Sequence, residues 1–242
     1  MNVLNKELKS INMKTYTVKT KCMIIGDINQ SMHIQIENEE IEQVNKFKYL
    51  GGIINCRGDM EDEINERIAS TGRLFNVIKS NFLSKKEIPK DVKAEIVKKI
   101  VKPTLTYSCE SWVLTERLKS KINSMEMRFL RKIQGRSRKD KIRNEIYRKQ
   151  LNIIPVEETV QQGQLRWLGH VYRMEEDRLV KKVFEARRME KRKRGRPRRT
   201  WIEDVRAAVE ARGIMWEEVR SIAMDRKKWK EKWKSAPIQE KK

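Results

Sequence analysis

The chain has 242 residues, enough for one large or two small domains. Hydrophobic residues make up 38% of it and charged residues 37%, a polar balance that still supplies a hydrophobic core and excludes a wholly disordered protein. The formal net charge is +22 and the pI is about 10.0, which points to a polyanionic partner.

The positive charge is confined to one part of the chain. Residues 1–80 contain 11 Lys/Arg and 11 Asp/Glu, so the whole excess lies in residues 81–242. The three cysteines, Cys22, Cys56 and Cys109, have no spacing typical of a zinc site. They predict reduced thiols in an intracellular protein, nuclear or cytoplasmic. No signal peptide and no apolar run of about 18 residues is present, so we expect no membrane association.

The first 55 residues predict a helix followed by strands. Residues 1–10 are consistent with the end of a helix, whereas TYTVKTKCMII (15–25) alternates β-prone residues. MHIQI (32–36) and EIEQV (40–44) predict a short hairpin, and FKYLGGII (47–54) a further strand.

Beyond Asp59 the apolar spacing becomes helical. The clearest amphipathic stripe runs from Leu114 to Ile133 and stops before Gly135. Pro103 should end or kink the helix before it. Further helices are predicted at 139–151, 156–173 and 176–190, and from Trp201 and Trp216.

The segment KRKRGRPRR (191–199) predicts an extended basic linker, since Gly-Arg-Pro disfavours a helix. Its core (194–197) matches an AT-hook, whose arginines enter the narrow minor groove of A·T-rich DNA. Non-specific phosphate contact, a solvated linker and a nuclear-import signal are the alternatives. The candidate binding residues are Arg194, Arg196, Arg198 and Arg199.

Two helical segments carry further candidates. The back of the stripe is basic and could face a phosphate backbone or simply solvent; its candidates are Arg128, Arg131 and Lys132. In QLRWLGHVYRM (164–174) the aromatic residues favour a core role. The tryptophans beyond residue 200 could stack on bases, although burial is commoner.

No complete active site is visible. The acidic cluster at 59–63 precedes a helix and suits its N-terminal dipole. No Gly-rich phosphate loop, HExxH or GxSxG motif occurs. We therefore expect a nucleic-acid-binding chain with no catalytic residue, no bound metal and no enzymatic activity of its own.

Five ordered blocks resemble the C-terminal part of a non-LTR (LINE-type) retrotransposon reverse transcriptase. They are KTK (19–21), FKYLGG (47–52), LTYSCESW (105–112), LRWLGHVYRM (165–174) and GRPRRTWIED (195–204). The resemblance covers almost all of residues 5–230. It implies an RNA-directed DNA polymerase as the parent activity, with template–primer RNA or DNA, or target DNA, as partner.

The resemblance also implies roles for individual residues. Lys19 and Lys21 would match the palm motif beside the incoming nucleotide, and the helices from about residue 61 would form the thumb. The hairpin that grips the primer would include Phe47, Tyr49, Leu50, Gly51 and Gly52.

Three departures limit the resemblance. Ser108 stands where the family usually has Gly, and residues 12–16 differ from the family's Gly-Leu-Lys-Ile-Asn. No Asp-Asp pair occurs, although the parent enzyme needs such carboxylates to hold magnesium. We therefore expect a fragment of a longer or decayed reading frame, which a separate fingers and palm portion could complement.

The sequence thus predicts an α+β, predominantly α-helical protein with four segments. A β-hairpin palm remnant (1–58) precedes a helical thumb (59–136), a helical extension (137–190), and a basic linker with Trp-containing helices (191–242). Two other hypotheses stay open: a host DNA-binding or chromatin protein that uses its Arg-Gly-Arg-Pro segment, and a non-functional pseudogene product.

Overall fold

The structure, a computed structural model, describes residues 2–26, 31–186 and 199–235. It is α+β and predominantly helical, as predicted, and it divides into two compact units, 1–65 and 66–242. The strands are β1 (Ile34–Ile36), β2 (Glu39–Ile41), β3 (Lys46–Tyr49) and β4 (Gly52–Asn55). The helices are α1 (Asn2–Ser10), α2 (Glu61–Ile78), α3 (Lys90–Ile96), α4 (Lys102–Leu105), α5 (Glu116–Gln134), α6 (Asn144–Leu151), α7 (Val156–Tyr172), α8 (Leu179–Glu185), α9 (Trp201–Glu210), α10 (Val219–Met224) and α11 (Arg226–Lys234).

The first hairpin of the N-terminal unit confirms the prediction. β1 and β2 pair antiparallel, with Ile36 opposite Glu39. The two turn residues between them, Glu37 and Asn38, have positive φ angles of 52° and 69°, as a two-residue hairpin turn requires. Ile36 and Ile41 are buried, so the apolar side chains fix the register of this hairpin.

The segment 47–54 forms a hairpin, as the resemblance implied for residues 47–52. The single strand that its apolar pattern predicted was wrong. β3 and β4 pair antiparallel, with Tyr49 opposite Gly52. The turn is made by Leu50 and Gly51, at φ 48° and 85°. Gly51 adopts this backbone conformation without steric penalty, which is why the chain reverses inside an apolar run.

The strand expected at 15–25 is also largely wrong. Cys22 forms only an isolated bridge with Gln43. Upstream of it, the backbone N–H and hydroxyl of Thr20 both donate to the carbonyl of Tyr16, at 3.1 and 3.0 Å. These local turn bonds replace the strand ladder, a competition typical of Thr-rich segments.

The C-terminal unit does not break at Pro103. After α3, a wider π-helical turn spans Val97–Val101, and α4 follows directly with Pro103 in its first turn. The missing N–H of Pro103 falls directly after the π turn, where the regular α-helical bonding is already interrupted. The helical path therefore continues to Leu105 instead of ending before the proline.

Helix α5 is the predicted stripe. The Thr115 hydroxyl accepts from the backbone N–H of Leu118 at 3.3 Å, and Gly135 ends the helix at φ 67°. The next helix, α6, begins later than residue 139, because Ser137 and Asp140 close a capping box around a short 3-10 turn.

Helix α7 occupies the centre of the C-terminal unit. Its apolar side meets α9, α10 and α11 in one core, which contains Leu165, Leu168, Val205, Ala208, Val209, Ile214, Val219, Ala223 and Trp229. The Trp229 indole N–H donates to the carbonyl of Leu165 at 2.8 Å. A Cβ at Gly169 would lie 2.2 Å from Trp229 Nε1, so a glycine is required at this crossing.

Ser108 gives a first prediction. It has a left-handed backbone, with φ 60°, where the resembled family usually has Gly. A non-glycine residue is strained in that region, so Ser108→Gly should raise the free energy of unfolding by about 0.5–1 kcal/mol. Denaturant unfolding measures the change. Ser111→Gly, three residues on in a 3-10 turn, is the control and should not stabilise; equal effects would contradict the prediction.

Candidate nucleic-acid interface

A basic groove runs along α5 and the turn that follows it; we call it the α5 groove. Its volume is about 500 Å³. The lining contains five cationic side chains, together with hydroxyl and amide groups, and none of its described members is an Asp or Glu. The cations are Arg128, Arg131, Lys132, Arg136 and Arg138. The three sequence candidates of this helix therefore lie together on one surface.

Neighbouring side chains hold the arginines of the α5 groove in place. The guanidinium of Arg128 lies 4.1 Å from the ring centroid of Phe75, a cation–π geometry. Arg131 donates to the Asn144 side-chain carbonyl at 2.8 Å. The α5 groove therefore presents fixed donors, the arrangement that suits phosphate oxygens.

Beneath this surface lies a buried ion cluster. The Glu126 side chain is 1% exposed, and it lies 2.8 Å from Arg148 and 3.4 Å from Lys102. The Lys102 ammonium also donates to the backbone carbonyl of Ile154. Burial lowers the pKa of Lys102, and the attraction of Glu126 opposes that shift. The cluster ties α4, α5 and α6 together and so fixes the helix that carries the α5 groove.

A second groove lies between α7 and α11; we call it the α7–α11 groove. Its volume is about 980 Å³. Its lining combines cations with aromatic rings and includes one carboxylate among the described residues, Glu110. The main contributors are Arg166, Trp167, His170, Arg226, Lys230 and Trp233.

Three of the distant sequence blocks meet at Glu110. Its carboxylate pairs with Arg166 at 2.7 Å, and its backbone carbonyl accepts from the Trp201 indole at 2.6 Å. Close by, the Gln164 amide donates to the carbonyl of Trp112 at 2.7 Å. The blocks LTYSCESW, LRWLGHVYRM and the end of GRPRRTWIED therefore form one structural unit, which sequence order alone did not reveal.

The tip of the β3–β4 hairpin is exposed and apolar. Phe47 is 38% exposed, Tyr49 60% and Leu50 76%, and Gly51 and Gly52 complete the reversal. A large apolar side chain with a positive φ angle is strained and gains little from burial here. These residues were expected to contact a primer, and that contact stays a prediction.

The strain at Leu50 can be tested directly. Asparagine tolerates the left-handed region and is favoured before Gly in this turn, so Leu50→Asn should stabilise the hairpin by about 0.5–1 kcal/mol. Slower hydrogen exchange of the β3 and β4 amides would show it. As a control, Asn38→Leu at the positive-φ turn of the other hairpin should have the opposite effect on β1 and β2. Faster exchange in Leu50→Asn would contradict the prediction.

The two palm-motif lysines already have partners. The Lys21 ammonium lies 2.5 Å from the Glu42 carboxylate, and that of Lys19 lies 5.5 Å from the centroid of the Tyr16 ring. Their assignment to a nucleotide site stays a prediction.

The candidates of the basic linker divide into two groups. Arg194, Arg196 and Arg198 lie outside the described residues. Arg199 is described, and it pairs with Asp204 and, at 3.4 Å, with Glu116. The start of α9 is thus fixed by an ion pair and by the Thr200–Glu203 capping box, which gives Arg199 a structural contact of its own.

The acidic cluster at the start of α2 serves the local fold. Asp62 pairs with Arg57 at 2.8 Å and accepts from the Asn55 amide at 2.7 Å. Glu63 accepts from the backbone N–H of Ile53 at 2.7 Å. Within the described ranges, no three His, Cys, Asp or Glu side chains come together as metal ligands. These carboxylates therefore have local structural partners, and the expected absence of a bound metal stays a prediction.

The described helices include none that combines the length and the apolar character needed to cross a bilayer.

Comparison with known proteins finds a distant relative. The chain is 25% identical over 198 residues to a Caenorhabditis elegans protein, F52C9.6, whose name describes it as uncharacterized and transposon-derived. The match covers 78% of this chain and 70% of the relative. This similarity indicates a transposon-related origin. No family profile matches the chain, and no solved structure matches it.

Sequence reasoning missed part of the α7–α11 groove. Trp167 was expected in the core, but it lines this groove, while its neighbours Leu168 and Val171 are buried. Arg226 and Lys230 were not singled out as binding residues. Their i, i+4 spacing was a usable signal, since it places both side chains on one helix face.

Proposed function

We propose that the chain is the nucleic-acid-binding C-terminal portion of a non-LTR retrotransposon reverse transcriptase. It holds a template–primer or target duplex through phosphate contacts and does not polymerise by itself. The parent activity is RNA-directed DNA synthesis. The proposal combines the five ordered sequence blocks with the transposon-related origin.

The α5 groove is the observation that carries this proposal. It gathers five cations on one surface with no carboxylate among its described lining residues, in a chain of net charge +22. Lysines and arginines that neutralise phosphates release condensed counterions, which gives affinity without base specificity. A helix that presents such a surface reads the shape of a duplex and its backbone.

Salt dependence tests the proposal. We expect the whole chain to bind an RNA–DNA hybrid with an affinity that falls steeply with salt. Arg128→Gln with Lys132→Gln should reduce the slope of log K against log[salt] by about 2, since each phosphate contact contributes about 0.9. Fluorescence anisotropy between about 50 and 200 mM salt measures this slope.

The control removes the same charge elsewhere. Lys86→Ala with Lys149→Ala takes away two exposed lysines that do not line the α5 groove, and it should change the slope less. Competition with A·T-rich and G·C-rich duplexes should show little base preference; a strong A·T preference would favour the host DNA-binding alternative. If neither RNA nor DNA binds at low salt, the proposal is wrong.

A further inference from the structure

We infer that the α7–α11 groove binds unpaired bases of single-stranded nucleic acid. This inference rests on the proposed function, because it assumes that the chain meets nucleic acid, but it concerns a different surface. The α5 groove takes phosphates of a duplex, whereas the α7–α11 groove takes bases that have left the stack.

The aromatic lining is the first observation. The Trp167 ring lies 5.3 Å from the His170 ring, tilted by 52°. Trp167 is only partly buried and does not pack in the core formed with α9, α10 and α11. Trp233 lines the same groove, and the buried Trp229 also reaches it. An indole face open to a groove can stack on a base of any type.

Cations accompany these rings. Arg226, Lys230 and Lys234 recur at four-residue intervals along α11, are exposed and line the groove. Arg226 and Lys230 have no ion-pair partner within the part of the chain that the structure describes. The one carboxylate of the described lining, Glu110, is already paired with Arg166. Positively charged side chains therefore outnumber carboxylates in the described lining of the α7–α11 groove, which complements a phosphate backbone.

The combination favours a single strand over a duplex. Bases in a duplex are stacked on each other and cannot present their faces to an indole, whereas unpaired bases can. A groove that alternates aromatic faces with cations is the arrangement that proteins use to hold single strands without sequence preference.

Abasic strands separate base stacking from charge attraction. The whole chain is titrated into a labelled oligo-dT of about twelve nucleotides and into an abasic strand of equal length. We expect oligo-dT to bind about tenfold tighter than the abasic strand. Trp167→Leu should reduce the affinity for oligo-dT about tenfold and that for the abasic strand by less than about twofold, while Trp167→Phe, which keeps a ring, should recover part of the loss.

Matched charge variants complete the test. Arg226→Ala with Lys230→Ala should weaken both strands equally, and more than Lys228→Ala with Lys232→Ala, which removes the same charge from α11 outside the groove. Unchanged thermal midpoints show that the Trp167 variants fold. If Trp167→Leu does not fold, the affinities of Trp167→Phe and of the Arg226 and Lys230 variants test the inference instead.

The outcomes distinguish the two proposals. Arg128→Gln with Lys132→Gln should weaken the hybrid duplex but preserve the tenfold advantage of oligo-dT over the abasic strand. If the chain binds nucleic acid but shows no such advantage, or if Trp167→Leu leaves it unchanged, the inference is wrong and the proposed function stands. If polyglutamate binds as tightly as oligo-dT, and Trp167→Leu weakens both equally, the inference is wrong and the groove binds an acidic protein instead.

Discussion

Replacing Glu126 with glutamine is expected to lower the free energy of unfolding by about 3–5 kcal/mol. The substitution keeps the size of the side chain but removes its charge. Lys102 and Arg148 would then be two cations in a largely buried site, with their shared carboxylate gone. Removing one member of such a cluster destabilises a protein far more than replacing the whole cluster by apolar residues, because the remaining buried charges lose their partner.

Chemical denaturation followed by far-UV circular dichroism measures this loss. Glu145→Gln, at an exposed position in the first turn of α6, is the control and should cost less than about 1 kcal/mol. Substituting the whole cluster, Lys102→Met, Glu126→Leu and Arg148→Met, should recover much of the stability, since apolar replacement of buried ion pairs is often neutral. A loss below about 1 kcal/mol for Glu126→Gln would mean that the site is hydrated.

The second large effect is expected at Gly169. A methyl group there would lie 2.2 Å from Trp229 Nε1 and 2.3 Å from its Cδ1, well inside van der Waals contact. Gly169→Ala should therefore push the indole out of the core and break its hydrogen bond to Leu165. Overpacking costs about 1–3 kcal/mol and the lost hydrogen bond about 1 kcal/mol, so we expect a loss of about 2–4 kcal/mol.

Two other helical glycines serve as controls, measured by the same thermal and denaturant unfolding. At Gly163 the nearest atom to an added Cβ is Cys109 Sγ at 3.0 Å, so Gly163→Ala should cost less than Gly169→Ala. At Gly72 the nearest is the flexible end of Met125 at 3.8 Å, so Gly72→Ala should stabilise by about 0.5–1 kcal/mol. If Gly169→Ala raised the free energy of unfolding as Gly72→Ala is expected to, the close contact between Gly169 and Trp229 would be contradicted.

Helices α5 and α7 could be predicted from the sequence because each combines an apolar period with an end signal. Gly135 follows α5 and Pro155 precedes α7, whereas the Thr115 cap of α5 is a finding of the structure. The strands were harder to predict. The apolar run at 47–54 has no period that separates one strand from two. The resemblance implied a hairpin there, and the positive φ angles at Leu50 and Gly51 make its turn. Local hydrogen bonds of Thr20 overrode the strand propensity of residues 15–25.

Of the two candidate grooves, the α5 groove could be predicted from the sequence and the α7–α11 groove could not. The cations of the α5 groove lie on one helix, so the helical period groups them. The α7–α11 groove joins residues about 60 positions apart in the sequence, Trp167 and Arg226, and no local pattern reports such a contact. The same holds for the meeting of Arg166 and Trp201 at Glu110.

The position of Trp229 in the core has a consequence for how the gene can decay. A stop codon anywhere between the codons for residues 174 and 229 would remove Trp229, whose indole packs directly against Gly169. The remaining polypeptide would expose Leu165 and Leu168 to water and would be prone to aggregation and proteolysis. Selection for a folded product would therefore remove nonsense mutations throughout this stretch.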